Sequence, residues 1–168
     1  MSPIKCSSSE LLENVAISVS LASGENLTVV SSYCLKGNCR KEDITKLLGI
    51  SSLYVIGGDF NAHRDLWDSS GPCNSVGRAI FSALNESDHA CLLTPRDLAT
   101  RMCPANGTHS TIDLTLIHRT LLLDALITTG YIGSDHLPIL NTLNEEPLVS
   151  GERDPLWKFK KNPLVWLE

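Results

Sequence analysis

Several features are missing from this 168-residue sequence, and each absence excludes a class of protein. No apolar run is long enough to span a bilayer and no secretory start opens the chain, so neither a membrane partner nor a secreted framework is expected. No Cys-x-x-Cys pair occurs. The six cysteines, Cys6, Cys34, Cys39, Cys73, Cys91 and Cys103, are scattered in a way that fits neither a zinc ribbon nor a dense disulfide scaffold. Reduced and mostly buried thiols in an intracellular protein are the expectation. Basic excess is missing too: 14 Lys and Arg stand against 19 Asp and Glu, for a net charge of −5. That argues against a chain that grips phosphates by its own charge, unless a bound cation restores local positive potential. With 20% charged and 42% hydrophobic residues, global disorder is excluded and one domain with a substantial core is expected.

What the sequence does contain is organised around Leu53–Asp68. Leu53, Tyr54, Val55 and Ile56 form an apolar run with aromatic and β-branched members, long enough for a buried strand and too short for a helix. Gly57 and Gly58 are expected to stop it. Asp59, Asn61 and His63 follow at alternate positions, and in extended chain alternation by two puts side chains on one face. Asp and Asn after a glycine pair are also ordinary turn residues. Two further segments set acidic residues within apolar runs, Thr111–Leu116 around Asp113 and Gly133–Ile139 around Asp135. Burying a carboxylate is costly unless it is paired or bound to metal, so three such places in one small domain point to a shared site.

The remaining chain supplies a scaffold. Residues 1–14 read as an irregular polar lead. Val15, Ile17, Val19 and Leu21 alternate with smaller residues and predict a strand buried on that face; a loop at Ala22–Asn26 returns the chain as a second strand over Leu27–Tyr33. Lys41–Leu48, closed by Gly49, and Val76–Leu84 predict amphipathic helices. Short strands are expected at Cys91–Thr94, Thr111–His118, Ala125–Thr129 and Leu137–Leu143, and an irregular surface loop over Arg96–Ser110. Helices mixed with strands in this way predict an α/β sandwich rather than a helical bundle. Residues 144–168 lose the periodicity and read as a solvated tail, with Arg153, Lys158, Lys160 and Lys161 around Trp157, Phe159 and Trp166.

The three motifs GGDFNAHRDLW, STIDLTL and GSDHLPI, in this order and at these intervals, resemble the endonuclease/exonuclease/phosphatase superfamily. The likeness is greatest to the apurinic-type endonuclease domain of non-LTR retrotransposons, of the jockey and R1 sort, and covers residues 15–143. It implies a DNase I-like fold, a two-layer β-sandwich flanked by helices, and divalent-metal-dependent cleavage of DNA phosphodiesters with Mg²⁺ or Mn²⁺. It also implies a nuclear setting and a reverse transcriptase domain downstream, to which the Trp- and Lys-bearing tail would lead.

By the same resemblance Asp59 positions or deprotonates the attacking water, and Asn61 orients that water or the phosphate. His136 hydrogen-bonds a phosphate oxygen, Asp113 holds His136 in its tautomer, and Tyr33 donates to the phosphate. Asp135 joins Asp59 near the metal, while Arg64 and Ser134 contact substrate. The alternative reading of His136 is a satisfied buried histidine, and that of Arg64 one half of a surface salt bridge. A full domain of this kind opens with strands that carry an asparagine and then a metal-binding glutamate. Neither is matched upstream of Val15; Glu10 and Glu13 stand in a serine-rich lead. The expected fold is therefore incomplete at its N-terminus, with weakened metal binding and little or no activity expected of this chain. The alternatives are a non-catalytic remnant or interaction module, or another phosphoesterase of the superfamily.

Overall fold

A computed structural model describes residues 2–4, 9–121, 123–130 and 132–148. The Trp- and Lys-bearing segment of the predicted tail lies outside them. Six strands form the main sheet: β1 (Ser2–Ile4), β2 (Leu12–Ser20), β3 (Asn26–Cys34), β4 (Tyr54–Asp59), β5 (Ala90–Leu92) and β8 (Asp113–His118), in the order β1-β2-β3-β4-β8-β5. All neighbours are antiparallel except β3 and β4, which run parallel. A parallel pair needs a crossover, and α1 (Lys41–Leu48) provides it; α2 (Ser75–Glu86) follows β4. Two small sheets complete the described residues, β6 (Arg101–Met102) with β7 (His109–Ser110), and β9 (Leu123–Thr128) with β10 (Ile139–Leu143).

Strand alternation divides the main sheet into two faces. Leu12, Ala16, Val30, Ile56, Leu114 and Leu116 point to one side, where they pack against Ile44, Leu47 and Leu48 of α1 and Val76, Ile80 and Ala83 of α2. Both helices are amphipathic as predicted, and Asn74 caps α2 by accepting the Gly77 N–H at 2.8 Å. On the other face Leu21, Leu27, Leu53, Val55, Ile117 and Leu121 form a second cluster, joined by Leu143 of β10. The result is the expected sandwich, a main sheet with helices on one side and a smaller sheet on the other.

The structure corrects several expectations. The 1–14 segment is not wholly irregular: β1 pairs with β2, and β2 already begins at Leu12. Within β2 the buried side carries Leu12 and Ala16, while Val15 is 71% exposed. The reason is coverage: the helices pack under Leu12 and Ala16, whereas the second cluster reaches β2 only through Val19 and the adjoining Leu21. Gly57 and Gly58 do not stop β4, which runs through them to Asp59 with neighbours paired on both sides. Gly58 serves close approach, since a Cβ there would run into the backbone of Ser32. The 96–110 loop contains the β6–β7 ladder. Cys34 and Cys39 are not reduced thiols; they are disulfide-bonded with Cα atoms 5.9 Å apart, because the 3-10 turn at Leu35–Gly37 doubles the chain back. Among the described residues Cys73, Cys91 and Cys103 are free.

Candidate active site

Strand register assembles the site. Tyr33 in β3 pairs with Asp59 in β4, and Asp59 pairs with Asp113 in β8. Three distant residues therefore stand side by side at one end of three adjacent strands. Alternation directs all three to the face away from the helices, the side covered in part by β10. Glu13 of β2 pairs with Tyr33 and extends the same row. In the sequence Glu13 stands in a serine-rich lead, where no strand pattern marks its register.

His136 completes the group from the loop before β10. Its Nδ1 lies 3.0 Å from both Asp113 carboxylate oxygens. A carboxylate only accepts, so Nδ1 carries the proton and donates it, leaving Nε2 as the outward-facing nitrogen. The Asp113 side chain is 14% exposed. Burial pushes its carboxyl above the ordinary value of 3.8, with the His136 charge pulling it back and the Asp59 charge adding to the rise. Asp59, Asp113 and His136 each offer a ligand atom within 4.8 Å of the others.

Asn61 is fixed beside this cluster by its own backbone. Its φ is +49°, the left-handed region that asparagine tolerates better than most residues. Its N–H donates to Asp59 Oδ1 at 2.9 Å and its Nδ2 to Asp59 Oδ2 at 3.1 Å, while Asn74 Nδ2 donates to the Asn61 carbonyl at 2.7 Å. With Nδ2 so engaged, Oδ1 is the side-chain atom left to meet a water.

This kink also overturns the expectation that His63 shares a face with Asp59. His63 turns to Asp68 instead, Nδ1 to Oδ2 at 2.5 Å, and Asp68 is 1% exposed. Arg64, expected to contact substrate, packs against α2. Its guanidinium lies 3.7 Å over the Phe81 ring of α2, a packing contact.

Asp135 does not join the carboxylate cluster. It pairs with Arg101 at 3.0 Å, a bond that holds its carboxyl below the usual range. Ser134 is exposed, and its hydroxyl accepts the His136 N–H at 3.2 Å. Of the pair expected near the metal, Asp59 lies in the cluster with Asp113 and His136, whereas Asp135 faces Arg101. A cavity of about 270 Å³ adjoins Asp113, lined by Ser31, Gly57, Thr115, Leu137 and Asn141. Asn141 Oδ1 is buried and has no partner among the described residues. The two carboxylates of this cluster, and a free amide oxygen lining the same cavity as Asp113, are oxygen donors of the kind a hard divalent cation takes.

Sequence reasoning missed Thr100 and Arg101. Thr100 is fully buried, and its hydroxyl accepts the backbone N–H groups of Ile112 and Asp113, each at 3.1 Å. Nothing in a loop-like stretch marks a threonine for that task.

A family model described as endonuclease-reverse transcriptase matches residues 27–140, more than half of the chain. Among solved structures the chain is similar to the endonuclease domain of TRAS1, a telomere-specific non-LTR retrotransposon, with a TM-score of 0.63 and 19% identity over 80% of this chain. It is similar to the APE2 catalytic domain of Xenopus laevis, with a TM-score of 0.57 and 17% identity over 84% of this chain. A humanized D. rerio TDP2 gives a TM-score of 0.55 and 14% identity over 79%. At these identities the likeness establishes the fold. The chain spans 64%, 58% and 60% of those three structures. No curated protein matches by sequence.

Proposed function

The chain belongs to the endonuclease-reverse transcriptase family, and from that premise we propose that it is the endonuclease portion of a retrotransposon-derived protein, hydrolysing DNA phosphodiester bonds with a divalent metal. One observation carries this reading: Asp59, Asp113 and His136 converge within 4.8 Å at the ends of β4 and β8, with Tyr33 and Asn61 beside them.

In this reading a water oxygen attacks phosphorus, the bond to one bridging oxygen breaks, and that oxygen takes up a proton. Asp59 and Asn61 act on the water: the Asp59 carboxylate accepts its proton while Asn61 Oδ1 orients it. His136 presents Nε2 to a phosphate oxygen, and Asp113 fixes the ring and supports its positive charge through Nδ1–H. Tyr33, 41% exposed at the rim, donates its hydroxyl to the phosphate as negative charge builds. Asp59 and Asp113 would hold Mg²⁺ or Mn²⁺, which would neutralise developing charge on the phosphate. A downstream reverse transcriptase and a nuclear location belong to the same reading.

The acidic balance of the chain, −5, favours a second possibility, a phosphoesterase of the same superfamily acting on a small substrate rather than on DNA. The test is relaxation of supercoiled plasmid with Mg²⁺ beside Asp59→Ala and His136→Ala. Nicking by the parent and not by the variants is expected. Equal nicking by all three removes the assigned site, and phosphate release from a small phosphoester without nicking favours the second possibility.

A further inference from the structure

Asp113 and His136 sit on separate elements, β8 and the loop before β10, and nothing in their own backbones pairs one with the other among the described contacts. What lies between them is β6. On one side Thr100 N–H donates to the Ser110 carbonyl at 3.0 Å, and Arg101 and Met102 pair with Ser110 and His109 of β7. On the other side the chain around His136 joins as a third strand: Arg101 forms an antiparallel bridge with His136, Leu137 N–H donates to the Thr100 carbonyl and Met102 N–H to the Asp135 carbonyl, both at 2.7 Å.

Side chains reinforce each connection. The Thr100 hydroxyl takes the Ile112 and Asp113 N–H groups at the start of β8. The Arg101 Nε–H donates to Asp135 Oδ2 at 3.0 Å, one residue from His136. Thr100 therefore grips the carboxylate's strand, and Arg101 grips the imidazole's loop. The two residues are adjacent in sequence, so the peptide between them fixes the distance between the two grips.

We propose that Thr100 and Arg101 are positioning residues that set the His136–Asp113 pair, with strand β6 acting as the rigid spacer between them. The proposal rests on the reading of that pair as part of the hydrolytic machinery. Neither residue touches the reacting atoms; each acts through the backbone that carries a member of the pair. The same contacts give Asp135 a role different from metal binding. Its carboxylate is the anchor point for Arg101, and its carbonyl is part of the ladder. Misplacement of a reacting group by about 1 Å costs about 100-fold in rate, so loosening either grip is expected to lower turnover rather than substrate affinity.

The experiment uses the full chain with Thr100→Val, Thr100→Ser, Arg101→Gln and Asp135→Asn, together with ¹H NMR of histidine-labelled protein. Thr100→Val keeps the shape of the side chain and removes the hydroxyl, whereas Thr100→Ser restores it. Two readouts are taken. In plasmid nicking with Mg²⁺, Thr100→Val and Arg101→Gln should lower kcat about 10- to 100-fold with KM unchanged, and Thr100→Ser should recover most of the loss. In NMR the low-field Nδ1–H signal of His136, absent from His136→Ala, should be present in the parent and in Thr100→Ser. It should broaden or vanish in Thr100→Val and Arg101→Gln.

The NMR arm needs no activity, so it separates failure of this inference from failure of the hydrolase reading. Loss of the signal in an inactive parent series supports the clasp alone. An unchanged signal and unchanged kcat in both Thr100→Val and Arg101→Gln overturn it. Arg101 is partly exposed, so its variant remains informative if Thr100→Val does not fold.

Discussion

Asp113→Asn separates what the site does for chemistry from what it does for stability. Asparagine keeps the shape and can still accept Nδ1–H of His136 through Oδ1, but it carries no charge. In the parent protein, burial raises the Asp113 carboxyl above 3.8 against the opposing pull of His136. A raised folded value means that the native state favours the protonated form. The group's favourable contribution is therefore complete below the ordinary carboxylate value and is lost as pH rises through the folded one. At neutral pH the ionised carboxylate is a net cost.

Replacing a charge-assisted bond of about 1.5–3 kcal/mol by a neutral one of about 0.5–1.5 kcal/mol forfeits about 1 kcal/mol of attraction. The upward direction of the shift says that desolvation exceeds this loss. The variant is therefore expected to be the more stable protein at pH 7. Each kcal/mol corresponds to about 2–4 °C in Tm for a domain of this size, and the gap should close as pH falls through the raised folded value to below the ordinary carboxylate range, where the parent carboxyl is protonated in both states. Activity should move the other way, down by up to about 10⁴-fold, because His136 loses the anion that supports its charge. Thermal melts in chelator at pH 4 to 8 and nicking assays with Mg²⁺ read both arms. A Tm at pH 7 several degrees below the parent would show that the imidazole's attraction outweighs burial and would refute the reasoning.

Other substitutions probe separate parts of the fold. Gly58→Ala drives a Cβ into the Ser32 backbone and should cost about 3 kcal/mol in denaturant titration. Gly57→Ala, which meets open space, should be neutral or stabilising by about 0.5–1 kcal/mol. His63→Phe leaves the buried Asp68 carboxylate without its imidazole and should cost about 3–5 kcal/mol, with Asp68→Asn milder; equal stability of His63→Phe and the parent would contradict the pairing. Tyr33→Phe should lower kcat by about 100-fold and leave Tm unchanged, since the ring is 41% exposed at the rim; an unchanged kcat would remove Tyr33 from the phosphate.

Local signals in the sequence identified the elements whose structure is decided locally. The α1 helix follows from Ile44, Leu47 and Leu48 on one face and Gly49 at its end, and β4 begins one residue into its apolar run. The motifs around Asp59, Asp113 and His136 were legible by resemblance, and the structure brings them together. What was not legible depends on neighbours. Which face of β2 is buried is set by where α1 and α2 lie, so Val15 and Ala16 could not be told apart by alternation alone. The Gly57–Gly58 pair looks like a turn until β3 and β8 pair with it from both sides. His63 fits an alternating pattern with Asp59 only if Asn61 is extended, and Asn61 is not. Arg101 meets Asp135 across 34 residues, a separation at which no pattern in the chain marks the pair.

The alignment of Tyr33, Asp59 and Asp113 across β3, β4 and β8 has a consequence for how this domain tolerates change in length. Their meeting is a matter of counting along hydrogen-bonded ladders. One residue gained or lost inside β4 or β8 would swing a carboxylate through to the helix side and dissolve the site, however well the core survived. A change of length at the Ser23–Gly24 tip of the β2–β3 bend, by contrast, leaves the pairing of these residues as it is. Intact spacing within these strands is thus a more sensitive record of an intact site than the identity of any single core residue.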